Sequence, residues 1–179
     1  MANSKVISIV KMTMVVLLIA LVIIQFIRPA KNEETTVLPE DIAVLYPMSD
    51  TVQQILQRDC YDCHSNNSRY PWYYNIQPVA WWMNNHINDG KRELNFSEFG
   101  KRPLVKQVRK LRKTAHEILE GGMPLHSYLW IHKDAILNDA DKQTLINWST
   151  GLSEQIAAKL PDSIRAKLDK RPEPGHRRN

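Results

Sequence analysis

Hydrophobic and polar positions divide the chain into blocks of different period. Residues 6–27 are apolar at nearly every position, interrupted by Ser8, Lys11, Thr13 and Gln25. At about 1.5 Å per helical residue this run reaches about 33 Å, enough to cross a bilayer core. Lys11 sits near one end, where its long stem lets the ammonium reach the headgroups. A cleaved signal peptide is the alternative. The long run 12–27 and its exit Arg28-Pro29-Ala30-Lys31, with no small-x-small cleavage site, favour an uncleaved anchor over residues 1–31. Residues 32–45, with Glu33, Glu34, Thr35, Thr36 and Pro39, show no helical period. They read as a linker that lets the following domain stand off the bilayer.

From residue 46 the pattern becomes amphipathic. Val52, Ile55 and Leu56 share one face behind Ser49 or Asp50 as cap, predicting a helix that ends at Cys60. Pro78 opens a second helix through Val79, Trp81, Trp82, His86 and Ile87, ending near Asp89-Gly90. Residues 94–99 read as a compact turn. Leu104, Val108, Leu111, Ala115, Ile118 and Leu119 recur at helical spacing and predict a third helix, stopped by Gly121-Gly122. Asn138 or Asp139 caps a last long helix over 139–151, with Leu145, Ile146, Trp148 and Leu152 on its apolar side and Gly151 as its stop. That helix is expected to cross the first, bringing Leu145 and Trp148 against Ile55 and Leu56. The prediction is an all-α domain over residues 46–152. A basic tail over 153–179 follows, with one or two helical turns around Ile164 and Leu168.

The chain of 179 residues carries a net charge of +5, room for one domain plus appendages and only mildly basic. It has no Gly-rich phosphate loop, internal repeat or basic-aromatic RNA motif, so no nucleic-acid partner is expected. One cluster of charge stands out: Lys106, Arg109, Lys110, Arg112 and Lys113 lie away from the apolar face of the third helix. A solvated helix face is the simplest reading. Docking of an acidic redox partner, or of anionic lipid, are the others.

The chemistry concentrates in Cys60-Tyr61-Asp62-Cys63-His64, which holds the only two cysteines of the chain. C-x-x-C-H is the attachment signature of c-type haem. Each thiol adds to one haem vinyl group, and the adjacent histidine supplies the proximal iron ligand. A C-x-x-C thiol redox pair would usually follow a strand in a βαβ pattern, and none surrounds Cys60. A zinc site would need a second ligand pair, and His126 and His132 are wrongly spaced for one. Tyr70, Trp72, Tyr73 and Tyr74 suit either a porphyrin face or ordinary core. Met123 lies on a Gly-Gly…Pro loop, and its soft thioether suits haem iron opposite histidine. His86, one turn from Trp82 on the same helix face, is its rival as second axial ligand.

With these residues the chain resembles class I cytochromes c. More closely, it resembles the bacterial haem-binding-domain family of membrane-anchored, single-haem proteins. The resemblance rests on Cys60 to Asn66, Tyr70-Pro71-Trp72-Tyr73, Pro78-Val79, Trp81-Trp82, His86-Ile87, Gly90, Leu94 to Glu98, Met123-Pro124, Tyr128, His132 and Ala140-Asp141 through Trp148. Phe99 stands where tryptophan is expected. The resemblance implies one covalently attached haem c and a cytochrome-like fold. The expected function is one-electron transfer, with Cys60 and Cys63 as tethers, His64 proximal and Met123 distal. The expected place is the periplasmic side of the cytoplasmic membrane, where c-type haem is attached, beside an unknown redox partner protein. The alternative is a haem-based sensor or peroxidase-like enzyme with an open or displaceable distal site, where His86, His126 or His132 acts as acid–base group. A haem that is purely structural, in an interaction module, is a third reading.

Overall fold

A computed structural model describes residues 2–170 of the chain. The elements are helical, and no strand occurs among the described residues. The first helix, α1 (Ala2–Ile24), is exposed along its described length and is apolar enough to cross a membrane over Ser4–Ile24. Two polar side chains, one in it and one just past its end, turn back on its backbone: Thr13 Oγ1 donates to the Ile9 carbonyl at 3.0 Å and Gln25 Nε2 to that of Leu21 at 3.0 Å. A lipid-exposed helix needs such internal partners.

There follow α2 (Ile42–Leu45), α3 (Asp50–Asp59), the single turn α4 (Tyr61–His64), α5 (Val79–Glu93), α6 (Leu104–Leu119), the turn α7 (His126–Leu129), α8 (Asp139–Ala157) and α9 (Asp162–Asp169). Two expected caps are in place. Ser49 Oγ accepts from the Val52 N–H at 3.4 Å, and Asn138 Oδ1 accepts from the Asp141 N–H at 2.8 Å. Helix α6 ends where Gly121 takes a left-handed φ of 72°.

The core lies where α6 and α8 pack along each other and α3 crosses α8. Phe96, Phe99, Ile42, Leu56, Leu111, Leu145 and Ile156 are its largest fully buried apolar side chains. Each contributes about 1.5–3 kcal/mol by leaving water. Trp148 packs against the same cluster, as does Met48.

Four local expectations need correction. Helix α5 does not stop at Asp89-Gly90 but continues to Glu93. Gly90 serves close packing instead, because a Cβ there would meet the Cys63 carbonyl oxygen at 2.5 Å. Helix α8 passes through Gly151, since Leu152, Ile156 and Ala157 extend its buried stripe. Helix α9 then docks through the buried Leu168 and an Arg112–Asp169 ion pair at 2.9 Å, so packing reaches well past residue 152. Leu119, expected in the core, is 70% exposed at the end of α6.

The fourth correction concerns the linker. Ile42 is fully buried, and its N–H donates to the Phe96 carbonyl at 2.9 Å. The Asn32 N–H donates to Tyr70 Oη at 2.7 Å, and its side-chain amide to the Ser65 carbonyl at 2.9 Å. Glu33 pairs with Asn67 in an isolated antiparallel bridge. Polar residues without period thus find partners about thirty residues away, and the segment lies on the domain. Residues 171–179, most of the basic cluster expected in the tail, lie outside the described residues.

Candidate functional site

The C-x-x-C-H residues occupy the corner between α3 and α4. Cys60 is the C-cap of α3, and its N–H donates to the Leu56 carbonyl at 2.9 Å. His64 closes the turn. Its Nδ1 lies 2.9 Å from the Leu94 carbonyl and 3.0 Å from that of Gly90, both acceptors only. Nδ1 therefore carries the proton, and the Nε2 lone pair is left for another partner. Burial holds the imidazole below its ordinary pKa, favouring the neutral, ligating form.

The backbone after His64 is fixed just as closely. The Phe96 N–H donates to the His64 carbonyl at 2.7 Å, and the Phe96 ring stands edge-on to the imidazole at 6.2 Å. Ser65 Oγ donates to the Tyr61 carbonyl at 2.8 Å and accepts from the Asn67 N–H at 3.1 Å. Asn95 Nδ2 donates to Asn66 Oδ1 at 2.8 Å, and the Asn66 N–H to Ser97 Oγ at 3.1 Å. The compact turn after α5 thus forms the seat of the histidine.

A cleft of about 790 Å³, including space open to solvent, lies against this corner. Cys60, His64, Leu94, Phe96, Ile118, Met123 and Leu145 line it, with Lys110, Lys113 and Glu93 among its polar residues. An adjoining lobe shares Cys60, His64 and Met123 and adds Cys63, Gly90, His86 and Tyr128. The four residues expected to hold a cofactor therefore surround one continuous space. Burial together with the charge of Asp59 pushes the Cys60 thiol up to about 12. Burial and Asp62 push Cys63 up to about 11.

His86 also faces the second lobe. Its Nδ1 sits 2.8 Å from the Trp82 carbonyl, which leaves Nε2 as the ring nitrogen that can meet a ligand in the lobe. Its ring packs on Trp82 at 4.4 Å. His132 and His126 do not line this lobe, although the cleft that His132 lines shares Cys63, His86 and Tyr128 with it. His132 stacks on Tyr128 at 4.0 Å and lines a neighbouring cleft with Tyr73, Trp82, Met83 and Ile131; His126 is exposed. Of the four clustered aromatics only Tyr73 lines a cleft. Tyr70 and Tyr74 pack on each other at 4.2 Å, and Trp72 is exposed.

The sequence offered little sign of two polar clusters. Asp62, inside the motif, is buried and accepts from Arg69 Nε at 3.1 Å and from Tyr128 Oη at 2.8 Å. It ties the chain beyond Met123 to the motif, and Tyr128 was visible only through the family resemblance. Asp59 accepts two bonds from Arg58, at 2.6 and 2.8 Å, and Arg58 also bonds Asp141 at 2.8 Å. That trio joins the end of α3 to the start of α8. The basic face of α6 is partly neutralised. Lys110 and Lys113 pair with Glu93 at 3.0 and 3.4 Å and Arg112 with Asp169, leaving Lys106 and Arg109 exposed without an ion pair among the described residues.

An apolar-walled cleft that holds the imidazoles of His64 and His86, a thioether and two neighbouring thiols fits a haem. No group of three or more His, Cys, Asp or Glu side chains suited to a bare metal ion occurs among the described residues. No curated protein and no solved structure matches the chain. The model of the haem-binding domain family matches residues 19–151, spanning the last turns of α1, the motif corner, both walls of the cleft and most of α8. The chain is a member of the haem-binding domain family.

Proposed function

We propose that this protein is a membrane-anchored, c-type, single-haem electron carrier. The observation that carries the reading is the fixed tautomer of His64, whose two carbonyl acceptors turn Nε2 toward a space shared with Cys60, Cys63 and Met123. When bound, the haem supplies a one-electron ferric/ferrous couple. Cys60 and Cys63 would tether it through thioether bonds. His64 would donate its Nε2 lone pair, and the carbonyls of Gly90 and Leu94 hold the ring and raise its basicity. Met123 would offer its sulfur as a second ligand, which favours the ferrous state. The Tyr128–Asp62 bond holds the Met123 segment over the motif. Leu94, Phe96, Ile118 and Leu145 would keep water from the group. α1 spans the cytoplasmic membrane in this reading, with the haem domain on the periplasmic side beside a redox partner.

The test is absorption and resonance Raman spectroscopy in both oxidation states. Met123→Ala is expected to abolish the sulfur-to-ferric-iron charge-transfer band, lower the potential and open the iron to carbon monoxide. His86→Ala is expected to do none of these.

A second reading is favoured by His86, whose available Nε2 faces the same lobe. It makes the haem bis-histidine, or gives a sensor or peroxidase-like site an acid–base group beside a displaceable methionine. A Met123→Ala protein that stays low-spin and six-coordinate at an unchanged potential, while His86→Ala loses both properties, selects the bis-histidine form. Rapid carbon monoxide binding to the unaltered protein selects the displaceable site.

A further inference from the structure

A group of exposed apolar side chains outside α1 lies at or beside one cleft. Trp72 is 76% exposed, Trp130 73% and Ile131 63%; Trp82 and Ile76 are nearly half exposed. Trp82 and Ile131 line the cleft together with Tyr73 and Val79. Trp72 adjoins Tyr73, with ring centroids 5.8 Å apart, and Trp130 adjoins Ile131 in the chain. The electron-transfer reading uses none of these side chains.

This surface is stitched to the end of α1. Gln77 is nearly fully buried and donates Nε2 to the Ile27 carbonyl at 2.8 Å and its N–H to Gln25 Oε1 at 2.9 Å. Gln25 Nε2 returns a bond to the Gln77 carbonyl at 3.3 Å. The Trp81 indole N–H also reaches the Ile27 carbonyl, at 3.0 Å. Ile76 and Trp82 are the chain neighbours of these two anchoring residues, so the exposed patch begins where the apolar run ends. A span over Ser4–Ile24 covers about 32 Å of hydrocarbon, which puts Gln25 to Ile27 at headgroup depth. Tryptophan, with an apolar body and a polar N–H, is a residue of that zone. Phe26, 84% exposed, and the cations Arg28 and Lys31 belong to it as well.

We propose that Trp72, Ile76, Trp82, Trp130 and Ile131 form a lipid seat that rests in the headgroup region of the bilayer crossed by α1. The seat depends on the anchor reading of α1 and goes beyond it, because it fixes which side of the domain faces lipid. The domain then lies on the membrane, and the cleft that contains Cys63 and His86 opens toward the headgroups. Continuity with α1 favours lipid over a protein partner, which would have to enter the headgroup zone to reach this surface.

The test uses the full haem-loaded chain in phosphatidylcholine vesicles. Single cysteines replace Trp72, Ile76 or Trp130, with Val16→Cys inside the span and Lys167→Cys on α9 as references. Cys60 and Cys63 are blocked as thioethers, and an unchanged haem spectrum checks each fold. Spin labels at these positions report collision with apolar oxygen and with a water-soluble nickel complex. Oxygen-to-nickel ratios at 72, 76 and 130 several-fold above that at 167 support the seat. Nickel-dominated ratios there, with Val16 still oxygen-dominated, overturn the seat and keep the anchor. A nickel-dominated Val16 overturns both. Shielding of 72, 76 and 130 from both reagents, in vesicles and in detergent alike, assigns the patch to a protein partner or second copy and overturns the lipid seat.

Discussion

The two walls of the cleft are built by opposite means. On the His64 side the ring is bonded to Gly90 and Leu94, its carbonyl and Asn66 are bonded to the turn after α5, and Phe96 beneath them is almost fully buried. On the Met123 side the chain from Gly121 to Leu137 carries exposed Leu125, Trp130, Ile131 and Ile136. Two side-chain bonds tie it across, Tyr128 to Asp62 at 2.8 Å and Tyr73 to His132 at 3.4 Å. One wall is thus fixed by the protein alone, while the other has few bonds of its own. A donor that must meet iron in a fixed orientation belongs on the first wall. A ligand that completes the site, or yields it, belongs on the second.

The largest effect is expected from removing the attachment itself. Cys60→Ser with Cys63→Ser should leave no haem on the polypeptide through denaturing electrophoresis, whatever the state of the Met123 wall. Haem retained there would break the comparison at its root. Next comes Gly90→Ala, which drives a Cβ to 2.5 Å from the Cys63 carbonyl oxygen. Overpacking of this kind costs about 1–3 kcal/mol, to be read from denaturant midpoints. An unchanged midpoint would mean the His64 wall is softer than its bonds imply.

Tyr128→Phe is the matching change on the other wall. It removes one bond to a carboxylate, about 1.5 kcal/mol, and should quicken carbon monoxide entry while the bonding around His64 stays intact. Equal entry rates would show that the Met123 segment is held by something else. The smallest effect is expected outside both walls. Lys106→Glu with Arg109→Glu should slow electron exchange with an acidic partner at low salt and leave it unchanged at high salt, since screening removes long-range attraction. A rate independent of salt would leave this a solvated helix face. The paired Lys110 and Lys113 are poorer probes, because Glu93 already offsets them.

Both walls carry signals that are legible in the sequence. C-x-x-C-H, the Ser49 cap, the α6 stripe and the Gly121 stop are local signals, complete within a turn or two of the residues that carry them. Gly90 and Gly151 show where locality fails. Both sit in helices and both read as stops, yet one is needed for a backbone 27 residues away and the other is simply tolerated. Ile42 and Asn32 misled in the same way, because their partners Phe96 and Tyr70 lie far along the chain. The Tyr128–Asp62 bond, 66 residues apart in sequence, has no local signature. Nor does the difference between Met123 and His86, since both face the cleft and their order of preference depends on the iron.

If the protein is the electron carrier proposed above, the tied segment 32–45 changes how a redox partner would meet the haem. Fourteen free residues would give a random-coil reach of about 20 Å, letting a domain sample a wide volume above its anchor. Here Asn32 and Ile42 take up that slack, and the stitches at Gln25 and Ile27 remove what remains. For an anchored electron carrier, encounter would then be governed by lateral diffusion in the plane and by the partner's own height over the lipid. A partner whose redox centre rode at another height could not be met by stretching, so the geometry of the tie would act as a selector by altitude.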